Sequence, residues 1–405
     1  MSEVCDLARR LALLLTIAGL SCQAVAKEKP ADTPRTIRVA TYNTSLFRDK
    51  DGELVRDLET GTDQQAQKIA EVIQRVRPDV MLCNEFDYDA GGQAAVLFQE
   101  EYLAVGQNGL EPIRFNNHYI GPVNTGRPSG LDLDNNGRTT DPTDAFGYGT
   151  HEGQYGMLVL SRFPIEKQIS RTFQTFLWRN MPGALLPLDP KTNKPYYSDA
   201  ALAILRLPSK SFWDLPVEIP ASATSPAWKL HLLCSHPTPP VFDGREDRNG
   251  RRNHDEIRLL ADYISPDRAD FLVDDAGGHG GLDPQVEFVI LGDLNCDPVD
   301  GEGLPGAMQQ LLDNPRVNSD FTPTSAGAKL ATESRHDANA VGKGDPAHDT
   351  SNFGDFRNLR IDYALPSRGL KIVGSGVFWP TPDEPGAEAI TATDHRLVWI
   401  DIETD

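Results

Sequence analysis

Short apolar segments recur along almost the whole chain, and several of them end at a polar residue. The segment TIRVATYN alternates apolar and polar residues up to Asn43, and PDVMLCNE runs up to Glu85. Between them, DQQAQKIAEVIQRVR (63–77) carries apolar residues at helical intervals and stops before a proline. The alternation is typical of a strand over 37–42, and the helical period indicates an amphipathic helix. With a second, buried strand over 79–83, the domain is predicted to open with a βαβ unit.

The later segments predict a single α/β domain with large loops. The 405 residues would allow two or three domains by length alone. However, no linker rich in serine or glycine divides the chain, and strands outnumber helices. Long loops are predicted over 86–154, 171–200 and 320–358, and the last is long enough to indicate a function of its own. Strands are predicted near 157–160, 200–207, 229–235, 286–291, 360–365, 371–378 and 396–402, and helices near 91–104, 253–264 and 305–313.

The charge balance limits which partners the protein can hold. There are 39 Lys+Arg against 59 Asp+Glu, so the formal net charge is −20. A protein that holds nucleic acid by charge alone needs basic grooves, and this composition argues against one. A nuclease whose metal ions offset the local charge is still allowed. The composition argues against a disordered chain, because 16 Phe, 10 Tyr and 5 Trp supply the apolar area of a large core.

Residues 1–26 have the pattern of a secretory signal peptide. Two arginines precede the apolar run LALLLTIAGL, and the small-residue sequence AVA ends at Ala26. The apolar run is shorter than the roughly 20 residues that a membrane span needs. We therefore expect cleavage near Ala26, a polar lead-in over 27–36, a domain over 37–405, and a secreted or periplasmic protein without a transmembrane segment.

Three cysteines remain after the expected cleavage: Cys83, Cys234 and Cys296. The first two lie inside apolar runs, which is typical of core residues. An oxidising compartment would permit one disulfide, but the sequence does not choose the pair.

The polar residues at the ends of the apolar segments are the candidates for a functional site, because α/β folds collect such groups at strand ends. Each residue alone has an ordinary explanation, since asparagine and aspartate are common in turns and most histidines are not catalysts. Their joint order favours function. The set consists of Asn43, Glu85, His236, Asp293, Asn295, Asp394 and His395.

In this order the segments resemble the endonuclease/exonuclease/phosphatase superfamily, a group of metal-dependent phosphoesterases that includes pancreatic-type deoxyribonucleases and neutral sphingomyelinases. One such motif would be weak, but five or more in sequence are specific. The tract LPSKSFWDLPVEI also resembles a secreted bacterial branch of the family. The resemblance implies a four-layer α/β/β/α sandwich of two mixed sheets flanked by helices, with long loop insertions. The matching segments are RVATYN (38–43), PDVMLCNE (78–85), YGMLVLSRFPI (155–165), LLCSHP (232–237), VILGDLN (289–295), RIDYAL (360–365) and TDHRLV (393–398).

The resemblance also implies a divalent-metal site. Asn43 and Glu85 match the positions that hold or orient the metal, and Asp394 lies at the last carboxylate on the metal side. Carboxylate and amide oxygens suit hard cations, so the expected ion is Mg²⁺ or Mn²⁺.

The remaining motif residues are implied to carry the catalytic roles. Asp293 and Asn295 match the pair that orients the attacking water and a phosphate oxygen. His395 matches the histidine at the phosphate, and Asp362 matches the carboxylate that orients it. His236 matches the second histidine of the deoxyribonuclease-like branch. We expect direct attack by water without a covalent intermediate, with His236 protonating the leaving oxygen, although the two histidines could exchange roles.

The chemistry that such a site performs is the hydrolysis of a phosphodiester or a phosphomonoester. The ester is anionic, so the reaction needs a cation at the phosphate, a base for the water and an acid for the leaving oxygen. The substrate could be a nucleic acid, a lipid headgroup or a small phosphate ester. An extracellular nuclease proper is one alternative, and a non-catalytic binding module that retains the fold is another. The complete polar set disfavours the latter, and no obligate protein partner is inferred.

Further residues near these motifs have weaker assignments. The deoxyribonuclease-like branch has a glutamate that pairs with this second histidine. Here the segment HEGQYG offers Glu152 or Gln154 as the partner of His236. Trp178 and Trp213 are predicted to pack in the core rather than to line a cleft. Basic residues could also contact the substrate, with solvated surface charge as the ordinary alternative. These candidate substrate contacts are Arg127, Lys210, Arg252 and Asn253.

One loop within the first long insertion predicts a separate calcium site. Its segment DLDNNG fits the start of a calcium-binding loop, in which alternate oxygens point inward and a glycine supplies the bend. The usual glutamate at loop position twelve is missing, and no flanking helices indicate an EF-hand. The alternative is an Asx-rich turn that binds nothing. The candidate ligands are Asp132, Asp134, Asn136 and Asp144.

Overall fold

The computed structural model describes residues 36–222, 225–334, 342–354 and 357–404. The expected signal peptide and all but the last residue of the polar lead-in lie outside these residues. Within the described ranges, no helix combines the length and the apolar character needed to cross a membrane.

The first sheet has six strands and contains the predicted βαβ opening. The strands are β1 (Thr36–Leu46), β2 (Val80–Phe86), β3 (Asn117–Ile120), β4 (Met157–Ser161), β12 (Ile372–Phe378) and β13 (Leu397–Glu403). Their order in the sheet is β12–β13–β1–β2–β4–β3, in which β1 and β2 are parallel and the other neighbours antiparallel. β1 therefore lies between β2 and β13.

The second sheet has five strands in the order β11–β8–β7–β6–β5, with β7 and β8 parallel and the other neighbours antiparallel. A two-stranded ribbon of β9 (Ser351–Asn352) and β10 (Asn358–Leu359) stands apart from it. The five strands are β5 (Arg171–Thr172), β6 (Phe212–Ile219), β7 (Trp228–Ser235), β8 (Phe288–Asp293) and β11 (Asp362–Pro366).

The helices are mostly short. Among the described residues they are α1 (Glu53–Leu58), α2 (Gln64–Val76), α3 (Gln93–Leu97), α4 (Asp199–Ile204), α5 (Arg248–Tyr263), α6 (Gln309–Leu312) and α7 (Ala326–Glu333). α3 continues as a π-helical segment over Phe98–Leu103. The described loops contain five 3₁₀ turns, at Pro142–Asp144, Trp178–Asn180, Pro266–Arg268, Pro346–His348 and Ala389–Ala392.

The two sheets pack face to face, with helices covering their outer faces. Leu232 of β7 belongs to the apolar cluster shared with the first sheet and α2, whereas its neighbour Leu233 belongs to the cluster formed with α5. Leu291 and Ile290 of β8 divide in the same way, because successive strand residues point to opposite faces. The expected four-layer sandwich of two mixed sheets is therefore confirmed.

The boundaries of α2 show how local sequence sets the opening unit. The side chain of Asp63 accepts a hydrogen bond from the Ala66 amide at 2.7 Å, which caps the helix at its start. Arg77 adopts a left-handed conformation with φ 55° at the other end, and Pro78 prevents continuation. The chain then enters β2, parallel to β1.

The strand predicted near 200–207 is wrong, because most of this segment forms α4. Ser198 caps the helix by accepting from the Ala201 amide at 3.1 Å, and the alanine-rich segment DAALAI favours a helix. The neighbouring strand is β6, which was not predicted because Pro216 interrupts its pattern. Pro216 lies opposite His231 of β7, near the end of the sheet formed by the short β5.

The buried cysteines and tryptophans belong to the core. Cys83, Cys234 and Cys296 are all buried and free, so the permitted disulfide is not formed. Trp178 and Trp213 are fully buried, which confirms the prediction that they pack inside rather than line a cleft.

Candidate active site

A cavity of about 1140 Å³ opens where strand ends of both sheets meet. Glu85 from β2, Asp293 from β8 and the segment just before β13 reach it together. Asp394 and His395 form that segment, and Asn295 follows β8 by two residues. Residues that are distant in sequence therefore line one space, because the two parallel strand pairs present their carboxyl ends at the same edge.

A direct hydrogen bond joins the two sheets at this edge. Asn43 Nδ2 donates to Asp293 Oδ2 at 3.0 Å, and a register shift in β1 directly after Asn43 alters the strand there. The Asp293 amide donates to Asn84 Oδ1 at 3.1 Å, and Asp293 Oδ1 accepts from the Asn295 amide at 2.9 Å. Burial raises the pKa of Asp293 to about 7, although the charge of His395 opposes the rise. Its carboxylate can therefore take up a proton near neutral pH.

His395 is held by a carboxylate, as the resemblance implies. Its Nδ1 lies 2.9 Å from Asp362 Oδ2, and Thr350 Oγ1 donates to the same oxygen at 2.8 Å. On the other side of the ring, Nε2 is 3.7 Å from Asp293 Oδ2 and 3.8 Å from Asp394 Oδ1. Burial alone would lower the pKa of His395, but the carboxylates of Asp362 and Asp293 outweigh it and raise the pKa to about 10. His395 is therefore an imidazolium at neutral pH.

His236 has the opposite ionisation. It directly follows β7 and is 1% exposed, with Nε2 at 3.5 Å from Asp293 Oδ2 and 3.9 Å from Glu85 Oε1. Burial lowers its pKa well below 6.5, and the charges of Lys210 and His395 lower it further. A neutral ring is a poor proton donor, which favours the alternative in which the two histidines exchange roles and His395 is the proton donor.

The residues around His236 fit a divalent metal ion. Both ring nitrogens are buried and lack a hydrogen-bond partner among the described residues, which is costly unless a ligand satisfies one of them. One ligand atom from each of Glu85, His236 and Asp293 lies within 4.8 Å of the others. Carboxylate oxygens and an imidazole nitrogen are donors that divalent metal ions accept.

This grouping differs from the ligand set implied by the sequence. Asn43 uses its amide nitrogen on Asp293 and its amide oxygen on the Ser45 amide, so it orients a carboxylate. The side chain of Asp394 is about half exposed at the cavity, on the side of His395. Glu85 is the residue that belongs to both sets.

Five non-glycine residues that line the cavity have left-handed backbone conformations. Ser45, Glu85, Tyr155, Phe242 and Asn295 have φ values of 48°, 55°, 57°, 66° and 52°. Such residues cost of order 1–3 kcal/mol each and persist where the surrounding structure enforces them. Their concentration at one cavity indicates that the fold holds these side chains in fixed directions.

The basic candidates divide into three kinds. Arg127 is partly exposed, and its guanidinium lies 3.5 Å from the carboxylate of Glu152. Lys210 is buried, and although nearby carboxylates favour its charge, burial dominates and lowers its pKa. Arg252 donates to the carbonyls of Leu207, Arg206 and Phe146.

Arg252 and Asn253 are corrections to the candidate substrate contacts. Arg252 is buried with its guanidinium bound to backbone carbonyls, so it braces loops. Asn253 is fully buried, and its Nδ2 donates to the carbonyls of Thr238 and Leu294 at 2.9 Å each. Neither side chain lines the cavity.

The sequence did not reveal the role of Glu256. Its two carboxylate oxygens accept the backbone amides of Ser209 and Thr238, each at 2.6 Å. Together with Asn253, which is three residues earlier on α5, it ties the loops next to Lys210, His236 and Asp293. A signal existed, because two polar residues at helical spacing shared the face that carries the apolar residues of α5.

The two suggested partners of His236, Glu152 and Gln154, have other contacts. Gln154 accepts from the Thr150 amide at 2.7 Å and donates to the Arg48 carbonyl at 2.7 Å, while Glu152 faces Arg127.

The predicted calcium loop brings together three carboxylates, with one oxygen each from Asp132, Asp134 and Asp144 within 4.8 Å of the others. Backbone amides of the loop already bind them. Asp132 accepts from Asn136 and Gly137, at 3.2 and 2.8 Å. These contacts equally describe an Asx-rich turn, so calcium stays a prediction from the sequence alone.

Comparison with known proteins places this site in a family. The profile of the Endonuclease/Exonuclease/phosphatase family matches residues 40–395, which is most of the chain. The chain therefore belongs to that family. It is a metal-dependent hydrolase that acts on phosphoric ester bonds.

The solved structures to which this chain is similar are distant in sequence. An endonuclease/exonuclease/phosphatase from Beutenbergia cavernae is 18% identical with a TM-score of 0.49, and the match covers 91% of this chain and 72% of that one. Beta toxin from Staphylococcus aureus is 12% identical, with a TM-score of 0.44 and coverage of 90% and 99%. Sphingomyelinase C from Streptomyces griseocarneus is 14% identical, with a TM-score of 0.44 and coverage of 91% and 99%. No match to a curated protein was found.

Proposed function

We propose that this enzyme hydrolyses a small phosphate ester with the help of Mg²⁺ or Mn²⁺, by direct attack of water on phosphorus. The observation that carries the proposal is that a charged imidazole and a carboxylate stand side by side in one cavity. An imidazolium, His395, stands 3.7 Å from the carboxylate of Asp293, which titrates near neutral pH. A general base is most effective when its pKa lies near the working pH.

Each residue then has a role that follows from its geometry. Asp293 accepts a proton from the attacking water, and Asn43 holds its carboxylate towards the cavity. His395 donates to the phosphate or to the leaving oxygen through Nε2, while Asp362 fixes Nδ1. Glu85 and His236 would hold the metal beside Asp293, whose carboxylate is left to act as the base. A bound divalent cation would neutralise the phosphate charge and polarise its oxygens.

The charge of the cavity supports a small ester over a nucleic-acid strand. Among the described residues that line it, the carboxylates are Glu85, Asp293, Asp297, Glu302 and Asp394, against the single guanidinium of Arg357. A strand would need several basic contacts along its phosphates. A single phosphate needs fewer, because His395 and a bound metal ion would together neutralise its charge.

The test is hydrolysis by purified protein in Mg²⁺, Mn²⁺ or EDTA, with Glu85→Gln as the matched variant. The panel is p-nitrophenyl phosphate, bis-p-nitrophenyl phosphate, DNA, RNA, inositol phosphates and sphingomyelin. We expect metal-dependent hydrolysis of a small ester that Glu85→Gln abolishes while the fold is retained. Preferred cleavage of DNA or RNA would instead support the nuclease alternative. Hydrolysis by the wild-type protein in EDTA at the rate seen with Mg²⁺ or Mn²⁺ would refute the metal mechanism.

We also propose that the mature protein is secreted or periplasmic. The support is the leader pattern up to Ala26. The N-terminal sequence of protein recovered from medium and periplasm tests this, and an uncleaved cytoplasmic protein would contradict it.

A further inference from the structure

An exposed phenylalanine at the cavity is not explained by folding. Phe242 is 87% exposed, although it lines the cavity, and its φ is 66°. A bulky residue in the left-handed region is an outlier, and glycine or asparagine adopts that conformation more easily. The ring buries little apolar area and its backbone is strained, so packing within the folded chain does not account for it.

The loop that carries Phe242 is anchored on both sides. Asn249 Nδ2 donates to the Val241 carbonyl at 2.6 Å, and the Asn249 amide donates to Asp243 Oδ2 at 2.6 Å. Asn249 belongs to α5, the helix whose Glu256 also binds the loop after His236. The ring is therefore held by the same scaffold as the catalytic groups.

Other apolar residues also line the cavity. Phe353 stands edge-on to His395 with ring centroids 6.0 Å apart, and the rings of Phe47 and Tyr155 are 4.5 Å apart. Apolar side chains therefore line the cavity beside the catalytic histidine as well as in the exposed loop. The remaining apolar lining residues are Pro239, Pro240, Val241, Leu359, Ile361 and Ala392.

We propose that Phe242 and the adjoining Val241 form a subsite for an apolar alkyl or aryl substituent of the phosphate ester. The inference rests on the proposed function, because the phosphate of the same molecule must lie at His395. The cavity has room for such a group. Its excess of carboxylates disfavours a second anionic phosphate, so the substituent beyond the reacting phosphate is uncharged or cationic.

Binding of two phosphonates tests the subsite without requiring turnover. Phenylphosphonate and methylphosphonate carry the same anionic group and differ in the apolar substituent. Calorimetry with Mg²⁺ should show that the wild-type protein binds phenylphosphonate about tenfold more tightly, the scale of one aromatic contact. In Phe242→Ala and Phe242→Gly the ratio should fall to about two or below.

Two controls separate this role from a structural one. Ile169→Ala removes another exposed apolar side chain that does not line the cavity, so it should keep the wild-type ratio. Phe242→Gly should melt at or above the wild-type temperature, because glycine relieves the backbone strain. A lower melting temperature together with loss of both phosphonates would mean that Phe242 is structural and would overturn the proposal.

Other outcomes are also decisive. A wild-type protein that shows no preference for phenylphosphonate, or that does not bind it, overturns the subsite. An unchanged binding ratio in Phe242→Ala would also overturn the subsite. If that variant at the same time no longer sedimented with phosphatidylcholine vesicles, the ring would be assigned to a membrane surface. If the phenyl preference is found but the ester panel is not hydrolysed, the proposed function fails and the subsite stands.

Discussion

Two aspartate–histidine pairs in this protein have nearly the same geometry but different surroundings. His395 Nδ1 lies 2.9 Å from Asp362 Oδ2, and His231 Nδ1 lies 2.7 Å from Asp214 Oδ1. The first pair stands at the cavity edge. The second lies within the sheet, with His231 near the middle of β7 and Asp214 on neighbouring β6.

The partners of the two carboxylates explain the difference. The second oxygen of Asp214 accepts from Tyr263 of α5 at 2.5 Å, so both oxygens serve the packing of a helix on a sheet. In Asp362, Oδ2 serves His395 and Thr350, and Oδ1 has no hydrogen-bond partner among the described residues. The far nitrogen of His395 faces two further carboxylates at the cavity. The comparison teaches that location at a strand end, rather than the pair itself, makes such a histidine available for chemistry.

The largest effect should separate the two histidines. His395→Ala should lower kcat by about 10²–10⁴, the usual contribution of one acid or base. His231→Ala should keep kcat within about twofold, because it does not line the cavity, and should lower the free energy of unfolding by about 1–3 kcal/mol. Steady-state kinetics and urea unfolding of both variants check this. A His231→Ala protein as inactive as His395→Ala would abolish the distinction.

The two carboxylates should differ in the same sense. Asp214→Asn should destabilise the protein by about 3 kcal/mol, since it disturbs a buried pair and its tyrosine bond. Asp362→Asn should reduce kcat by about 10–10², less than His395→Ala, because the imidazole stays but loses its orientation. A loss in Asp362→Asn that exceeds the loss in His395→Ala would mean that Asp362 contacts metal or substrate.

A smaller effect should come from the brace on α5. In Glu256→Gln one carboxylate oxygen becomes an NH₂ group that cannot accept the amide of Ser209 or Thr238. We expect kcat to fall about tenfold with KM little changed, because the loops beside Lys210 and His236 shift while the cavity lining is intact. Lys229→Gln, at an exposed ion pair with Glu166, is the surface control. Unchanged kcat in Glu256→Gln would show that the loops hold their positions without it.

The smallest effect concerns pH. In metal-free protein the pKa of His395 is raised from 6.5 to about 10. Its stabilisation is therefore complete below about pH 6.5 and is lost as pH rises through about 10. The melting temperature of the wild-type protein in EDTA should exceed that of His395→Gln by several degrees at about pH 6 and by less at about pH 10. A difference that widens with rising pH would show that the ring is neutral in the fold.

The fold was largely predictable, because its signals are local. The helical period and Pro78 located α2, and strand-end motifs located the edge of both sheets. The prediction failed for two elements. The pattern indicates a strand at DAALAI, which forms α4, and Pro216 interrupts the strand pattern of β6. In α4 the local propensity and the Ser198 cap favour the helix, whereas β6 forms despite Pro216 because its pairing with β7 outweighs propensity.

The site was predictable in membership but not in ionisation. The order of the motifs indicated which residues would meet, and the structure does bring Glu85, His236, Asp293 and His395 together. Which histidine is charged depends on the number of carboxylates around each buried ring, and sequence spacing does not report that. Arg252 was assigned to the substrate for a similar reason, since its backbone partners become visible only in three dimensions.

The neighbouring positions of β1 and β13 have a consequence for the newly made chain. Asn43 is synthesised long before His395, and both are needed at the same edge. A ribosome-bound chain that has emerged only as far as β12 lacks both the charged histidine and β13, the strand that lies between β12 and β1. Contacts this distant in sequence also form slowly. The nascent protein would therefore lack its acid group for phosphate esters until the segment that leads into β13 has emerged.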